Sequence, residues 1–308
     1  MQENRLFENT GKLLVGAIGV VALFIALQTV FGASIVSQVT VGNSAPSVSA
    51  VSINGGSAIT LTANTTTNIS VNATVTDNNG CADITSGTST IKLYRSGITS
   101  SSCSSADNLN CYIATAFTAS STCSSNTTNT TTTFAIQYFA QATDSSSSFS
   151  AQNWIATVTF KDAANTTGTA DSTGVELNTL TAINVTTSSL NYGSLSANQD
   201  TGSTNQTATS TNAGNSSTTL QLYASATLTS GASSIATSSQ HYATSTFTFG
   251  GAEQALSDTA ATVSGFFLTS PTSTTNVAQT TFWGLNVPGG TATGTYTGTN
   301  VFQALFQP

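Results

Sequence analysis

Asn68-Ile69-Ser70-Val71-Asn72-Ala73-Thr74-Val75-Thr76 is the stretch whose reading decides the fold. Ile69, Val71, Ala73 and Val75 alternate strictly with Ser70, Asn72, Thr74 and Thr76. A period of two belongs to a strand with one buried and one wet face. A helix would scatter those four apolar residues over opposite sides. Asp77-Asn78-Asn79-Gly80 follows as a turn.

Working outward, the same pattern recurs. Ile91–Arg95, then Phe134, Ile136 and Tyr138, then Trp154, Ala156, Val158 and Phe160 read as strands of a first half. Val175, Leu177 and Leu180 close it. In a second half Leu190–Leu195 is followed by the alternating Leu220, Leu222, Ala224, Ala226 and Leu228. His241–Phe249 and Thr262–Leu268 come next. Trp283–Val287 and Val301–Phe306, joined through Pro288-Gly289-Gly290, read as a closing hairpin. Ser96–Thr133, long and polar with three cysteines, reads as a stapled loop region. Short strands separated by turn clusters predict sandwiches and an all-β fold.

Composition agrees. Only 6% of the 308 residues are charged, against about 25% in an ordinary domain. The net charge is −7 with no Lys or Arg cluster, which excludes a nucleic-acid footprint. Leu13–Leu27 is fifteen apolar or small residues without interruption, the core of a hydrophobic helix over Leu13–Gly32. The helix is an uncleaved anchor, a cleaved signal or the core of a filament, and the residues after it leave all three open. Arg5 and Lys12 precede it and no charge follows until Asp77. That asymmetry places the N-terminus inside and the rest outside. The expected division is 1–45 for the helix and connector, 46–183 for a first sandwich and 184–308 for a second.

The four cysteines suggest disulfides in an exported chain. Cys103 and Cys111 bracket a short turn-forming stretch, and Cys81 and Cys123 lie at the ends of separate strands. This favours Cys103–Cys111 with Cys81–Cys123; the rival pairing is Cys81–Cys103 with Cys111–Cys123. With one histidine in the chain, zinc is not expected.

Several residues are candidates for chemistry. Asn64, Asn68, Asn72, Asn126, Asn129, Asn165, Asn184, Asn205 and Asn215 are N-x-Ser/Thr glycosylation acceptors. The Ser120–Ser125 and Thr127–Thr133 tracts offer hydroxyls for O-linked sugar. Asp77, Asn79 and Asp83 surround a glycine turn and form a weak calcium candidate, lacking the full calcium-loop pattern. No other cofactor is expected. His241 has no positioned nucleophile or carboxylate in sequence, and no carboxylate pair suggests acid–base work, so no catalytic residue is assigned. Trp154 and Trp283 lie on alternating apolar faces and read as core.

Three groups of segments carry a family resemblance. They are TVTDNNGCADI (74–84), IKLYRSGI (91–98), FAIQYFA (134–140) and WIATVTF (154–160); LNYGSL (190–195) and TNAGN (211–215); and FWGLNVPGGTATGTYTGTNVF (282–302). Together they resemble the Ser/Thr-rich exported surface proteins with tandem Ig-like domains of uncultured bacteria and archaea. The resemblance spans most of 46–306 and implies Ig-like sandwiches and an envelope location, with no active site. The expected function is a structural subunit of the extracellular envelope, in a filament or surface layer. The alternative is a membrane-anchored adhesin displaying the 96–133 region. The expected partners are further copies or other envelope proteins, and the membrane if the helix is retained. So little charge leaves strand edges unguarded, which predicts self-association through the second sandwich.

Overall fold

In the computed structural model the described residues are 35–85, 87–115, 118–119 and 123–308. The hydrophobic stretch Leu13–Gly32 lies outside them. Among the described residues no helix is long and apolar enough to cross a membrane. Residues Asn43–Pro308 form one compact unit holding both sandwiches.

The first sandwich has eight strands: β1 (Ser47–Ile53), β2 (Thr66–Thr76), β3 (Thr88–Arg95), β4 (Cys111–Ala114), β5 (Thr118–Ala119), β6 (Thr127–Gln137), β7 (Trp154–Lys161) and β8 (Thr167–Asp171). A short helix, α1 (Cys81–Thr85), links β2 to β3. One sheet has the order β1-β2-β6-β5 and the other β4-β3-β7-β8, with every pairing antiparallel. The period of two is obeyed: Ile69, Val71, Ala73 and Val75 of β2 are all buried. Ile91, Leu93, Phe134, Ile136, Trp154, Ala156 and Val158 complete the core between the sheets.

Thr127–Thr133 is a strand and not part of a loop. β6 pairs with β2 along its whole length, from Thr66↔Gln137 to Thr76↔Thr127. Thr128, Thr130 and Thr132 point into the sandwich in line with Phe134 and Ile136. A run of threonines has the β-branched shape of a strand but no apolar alternation to reveal which face is buried. The hydroxyl of Thr130 is accommodated by donating to the Ala73 carbonyl at 3.1 Å. Outside, Thr131 donates to Asn72 Oδ1 at 2.7 Å and Thr74 to Asn129 Oδ1 at 2.8 Å, a ladder of cross-strand pairs.

The second sandwich follows with β9 (Ile183–Val185), β10 (Gln206–Asn212), β11 (Thr218–Ser230), β12 (Ser233–Ile235), β13 (Gln240–Ala243), β14 (Gln254–Ala255), β15 (Ala261–Thr262), β16 (Ala278–Leu285) and β17 (Thr297–Phe306). One sheet runs β14-β13-β16-β10-β9; the other is built on β11, which pairs with β12, β15 and β17. Leu220, Leu222, Tyr242, Phe266, Leu268 and Trp283 fill its core. The closing hairpin expected from Trp283–Val287 and Val301–Phe306 does not form. β16 is flanked on both sides, by β10 and β13, so the chain crosses to the other sheet and β17 pairs with β11.

The turn Thr211–Ser217 fastens the two sandwiches together. The Asn64 N–H donates to the Ala213 carbonyl at 3.0 Å, and Asn215 N–H to the Leu180 carbonyl at 3.0 Å. The buried Asn215 side chain donates through Nδ2 to the carbonyls of Ala140 (3.0 Å) and Asn178 (3.2 Å). Its Oδ1 accepts from the Leu180 N–H at 2.6 Å. Gly214 passes so close that a Cβ there would lie 2.0 Å from the Leu180 carbonyl oxygen. Asn215→Ala strands the buried Ala140 carbonyl and two half-buried groups, the Asn178 carbonyl and the Leu180 N–H, and should destabilise the chain by about 3 kcal/mol. Urea unfolding should register this as an earlier midpoint for both sandwiches together; an unchanged midpoint would deny the clamp its role.

Candidate functional site

The acidic turn read from the sequence sits at one end of the first sandwich. The turn after β2 carries Asp77, α1 carries Asp83, and the turn after β7 carries Asp162. One carboxylate oxygen from each lies within 4.8 Å of the other two. Asp77 is 0% exposed and Asp162 3% exposed. Asp162 was not in the sequence-derived set, because it is 79 residues beyond Asp83 and only the packing of β7 against β2 and α1 brings it there. Asn79, which was in that set, instead uses its Oδ1 to accept the Ser44 N–H at 2.7 Å. Its backbone N–H donates to Asp77 Oδ1 at 2.8 Å. Asp83 Oδ1 accepts from the Ala163 N–H at 3.1 Å. Asp162 accepts from Asn43 Nδ2 at 3.0 Å, from the Thr166 N–H at 2.8 Å and from the Thr166 hydroxyl. Burial pushes the Asp162 carboxyl up, but these donors and the Ala164 N–H outweigh it and hold it below the ordinary carboxylate range. Asp77 Oδ2 is buried and has no hydrogen-bond partner.

Beside this corner is one of two disulfides, Cys81–Cys123; the other is Cys103–Cys111. The Cys103–Cys111 loop is folded into the domain, with both cysteines buried. Asp107 organises it, its Oδ1 accepting from the N–H groups of Leu109, Asn110 and Cys111 at 2.8–2.9 Å. Tyr112 locks its base by donating to the Asn108 carbonyl at 2.6 Å and accepting the Gln137 N–H at 3.0 Å.

The glycosylation candidates divide by burial. Asn64, Asn68, Asn129, Asn165 and Asn184 are exposed, and Asn72, Asn126 and Asn205 are half-buried. Asn205 Nδ2 is enclosed without a partner, while its Oδ1 accepts the Phe247 N–H. Asn215 is a correction to the sequence reading, since its amide nitrogen is committed inside the fold and cannot carry a sugar there. Inward-facing Thr128, Thr130 and Thr132 are likewise withdrawn from the O-linked set.

His241 lies on β13 with both ring nitrogens engaged, Nδ1 with Glu253 Oε1 and Nε2 with the Ser238 carbonyl, each at 3.1 Å. Its ring stacks on Phe249 at 4.4 Å. Burial pushes the Glu253 carboxyl up, but the N–H groups of Glu253 and Gly250 and the pairing with His241 hold it below the ordinary range. Trp154 and Trp283 are both 0% exposed, with Nε1 donating to the Gln141 carbonyl and the Thr281 hydroxyl respectively. A groove of about 1250 Å³ runs along the second sandwich, lined in part by Leu190, Tyr192, Ile235, Leu285, Tyr296 and Phe302. Tyr192 donates there to Gln240 Oε1 at 3.2 Å, and burial pushes its phenol up.

No protein-family model and no curated protein matches the chain. Among solved structures, red sea bream transglutaminase aligns at 8% identity and a TM-score of 0.22, over 82% of this chain and 28% of that one. The chain thus spans under a third of that protein, and a likeness of this size carries no argument about fold or activity.

Two outcomes follow from these contacts. The Cys81–Cys123 bridge closes a separation of 42 residues and Cys103–Cys111 one of 8. Loop-closure entropy therefore makes Cys81→Ser more destabilising than Cys111→Ser by about 1.5 kcal/mol, readable by urea unfolding; equal losses would contradict the entropic account. A lowered Glu253 pKa contributes stability above the ordinary carboxylate value, and that contribution is lost as pH falls through the lowered one. Glu253→Gln should thus cost most at neutral pH, and its difference from wild type should fade below about pH 4. A pH-independent difference in unfolding midpoint would assign Glu253 a packing role alone.

Proposed function

We propose that this chain is a structural subunit of an extracellular surface assembly whose copies associate along strand edges. The observation that carries this reading is β17. It is ten residues long, carries no charge and no proline, and among the described residues pairs on one side only, with β11. Edge strands are commonly protected by shortness, lysine or proline. The other edges of this sandwich, β9, β12, β14 and β15, are two or three residues long and protected in the first way. β17 has none of these protections and is a template for strand addition.

The connector supplies a matching segment. Ile35-Val36-Ser37-Gln38-Val39-Thr40-Val41 is uncharged and β-prone, and Ile35, Val36, Val39 and Val41 are 80–91% exposed. An exposed apolar run of this kind is costly in water unless a partner covers it. Two disulfides suit an oxidising compartment outside the cytoplasm. The stretch Leu13–Gly32 fits an export signal or an anchor that leaves the sandwiches outside. The exposed acceptors Asn64, Asn68, Asn129, Asn165 and Asn184 suit a glycosylated surface. The first sandwich is taken as Ig-like, since β1-β2-β6-β5 facing β4-β3-β7-β8 follows the ABED and CFG order with one added edge strand. The second sandwich keeps the ABED order in β9-β10-β16-β13 and pairs β17 with β11 as F pairs with C, but among the described residues no further strand follows beside β17.

Electron microscopy of material sheared from cells tests the reading, with a regular filament or lattice as the expected outcome. Placing lysine on the edge strand, as Gln303→Lys with Leu305→Lys, should raise the concentration needed for assembly of the purified chain about tenfold or more. A wild-type chain that stays monomeric by light scattering, with no ordered material on cells, would overturn the proposal.

A further inference from the structure

Three carboxylates packed together need positive charge or protons between them. The single ion pair among the described residues is His241–Glu253, in the other sandwich, so no described Lys or Arg pairs with Asp77, Asp83 or Asp162. The neighbouring donors are spent on particular oxygens: the Asn79 N–H on Asp77 Oδ1, the Ala163 N–H on Asp83 Oδ1, and Asn43 and Thr166 on Asp162. Asp77 Oδ2 remains, fully buried and without any donor. A buried carboxylate oxygen with no partner is among the costliest arrangements in a folded chain. That deficit is separate from the proximity of the three acids, and it points to a missing positive group.

We propose that Asp77, Asp83 and Asp162 bind a calcium ion. The donor set is all oxygen, which suits a hard cation and excludes a thiolate or imidazole site. The ligands come from two turns and the short helix α1, whose spacing adjusts more readily to calcium than to the strict octahedron of magnesium. The ion fastens the end of β2, in one sheet, to the end of β7, in the other. It does so beside the Cys81–Cys123 bridge and where Asn43 and Ser44 join the sandwich. The site is independent of strand-edge assembly, so either proposal can fail without the other.

The test uses the full chain, stripped with chelator and titrated with calcium chloride by calorimetry, with thermal unfolding in parallel. The expected dissociation constant is about 10⁻⁴–10⁻³ M, the range of extracellular calcium modules. At free calcium about 100 times that constant the folded-to-unfolded ratio should rise about 100-fold. Asp77→Asn removes one of the three carboxylate charges and lets an amide N–H take the place of the unpartnered oxygen. It should lower calcium affinity at least tenfold and yet unfold no earlier than wild type in chelator. Should that variant fail to fold, Asp83→Asn serves instead, since its Oδ1 can still accept the Ala163 N–H. Absence of both heat and stabilisation up to about 10 mM calcium would overturn the proposal, as would an undiminished response in the variant. A proton shared among the acids would show as stabilisation on acidification in chelator without a calcium response, and would also overturn it.

Discussion

The side-chain amide of Asn215 meets three backbone groups of the first sandwich, the carbonyls of Ala140 and Asn178 and the N–H of Leu180. A primary amide is suited to such a place because it offers donors and an acceptor on one rigid plane. Neither an aspartate nor a leucine could satisfy all three. The rest of the turn is shaped to bring that amide in. Asn212 holds it from inside, donating to the carbonyls of Ser216 and Thr269 while accepting the Gly214 N–H. Gly214 has no side chain because the Leu180 carbonyl occupies that space. Two cores that share no buried residue are thus joined through buried and half-buried hydrogen bonds to the backbone, and residues 43–308 pack as one unit.

The same economy of polar groups runs through the cores. With 6% charged residues the chain cannot rely on ion pairs, and the described residues hold one. Threonine takes over. Thr130 and Thr281 point inward and return their hydroxyls to neighbouring carbonyls, Ala73 and Ala208 respectively. Thr219 does the same toward Phe266. Each keeps a β-branched methyl for packing and spends its polar atom locally, so a strand rich in threonine serves as a central strand. Both tryptophans follow the rule, each burying its ring and donating its indole N–H to a nearby oxygen.

Charge, being scarce, is concentrated. In the second sandwich Glu253 and His241 tie β13 to the segment before β14. In the first, Asp107 gathers three N–H groups to shape the bridged loop. Asp162 shapes the β7–β8 turn in the same way, but Asp77 does not complete its set. Glu253 Oε2 is likewise buried without a partner, so what sets the acidic corner apart is that its orphan oxygen belongs to one of three carboxylates gathered together. Assembly, by contrast, would draw on uncharged surface, the β17 edge and the exposed valines of the connector.

Local pattern was enough for what depends on one strand at a time. The alternation at Ile69–Val75 and at Trp154–Phe160 fixed the buried faces, because side chains on a strand point to opposite sides whatever lies beyond. The favoured cysteine pairing also rested on local spacing, and the same two bridges are present. Tertiary structure decided what hydropathy does not encode. A Thr-only run has no apolar phase, so its role as β6 emerged only from pairing with β2. The turn beyond β16 looked like a hairpin, but β16 had both edges filled, and the chain had to cross to β11. Asn215 reads as a surface acceptor by motif and is an interior clamp by position. Asp162 joined Asp77 and Asp83 because two sheets stacked, and no sequence spacing records which turns a sandwich brings to the same end.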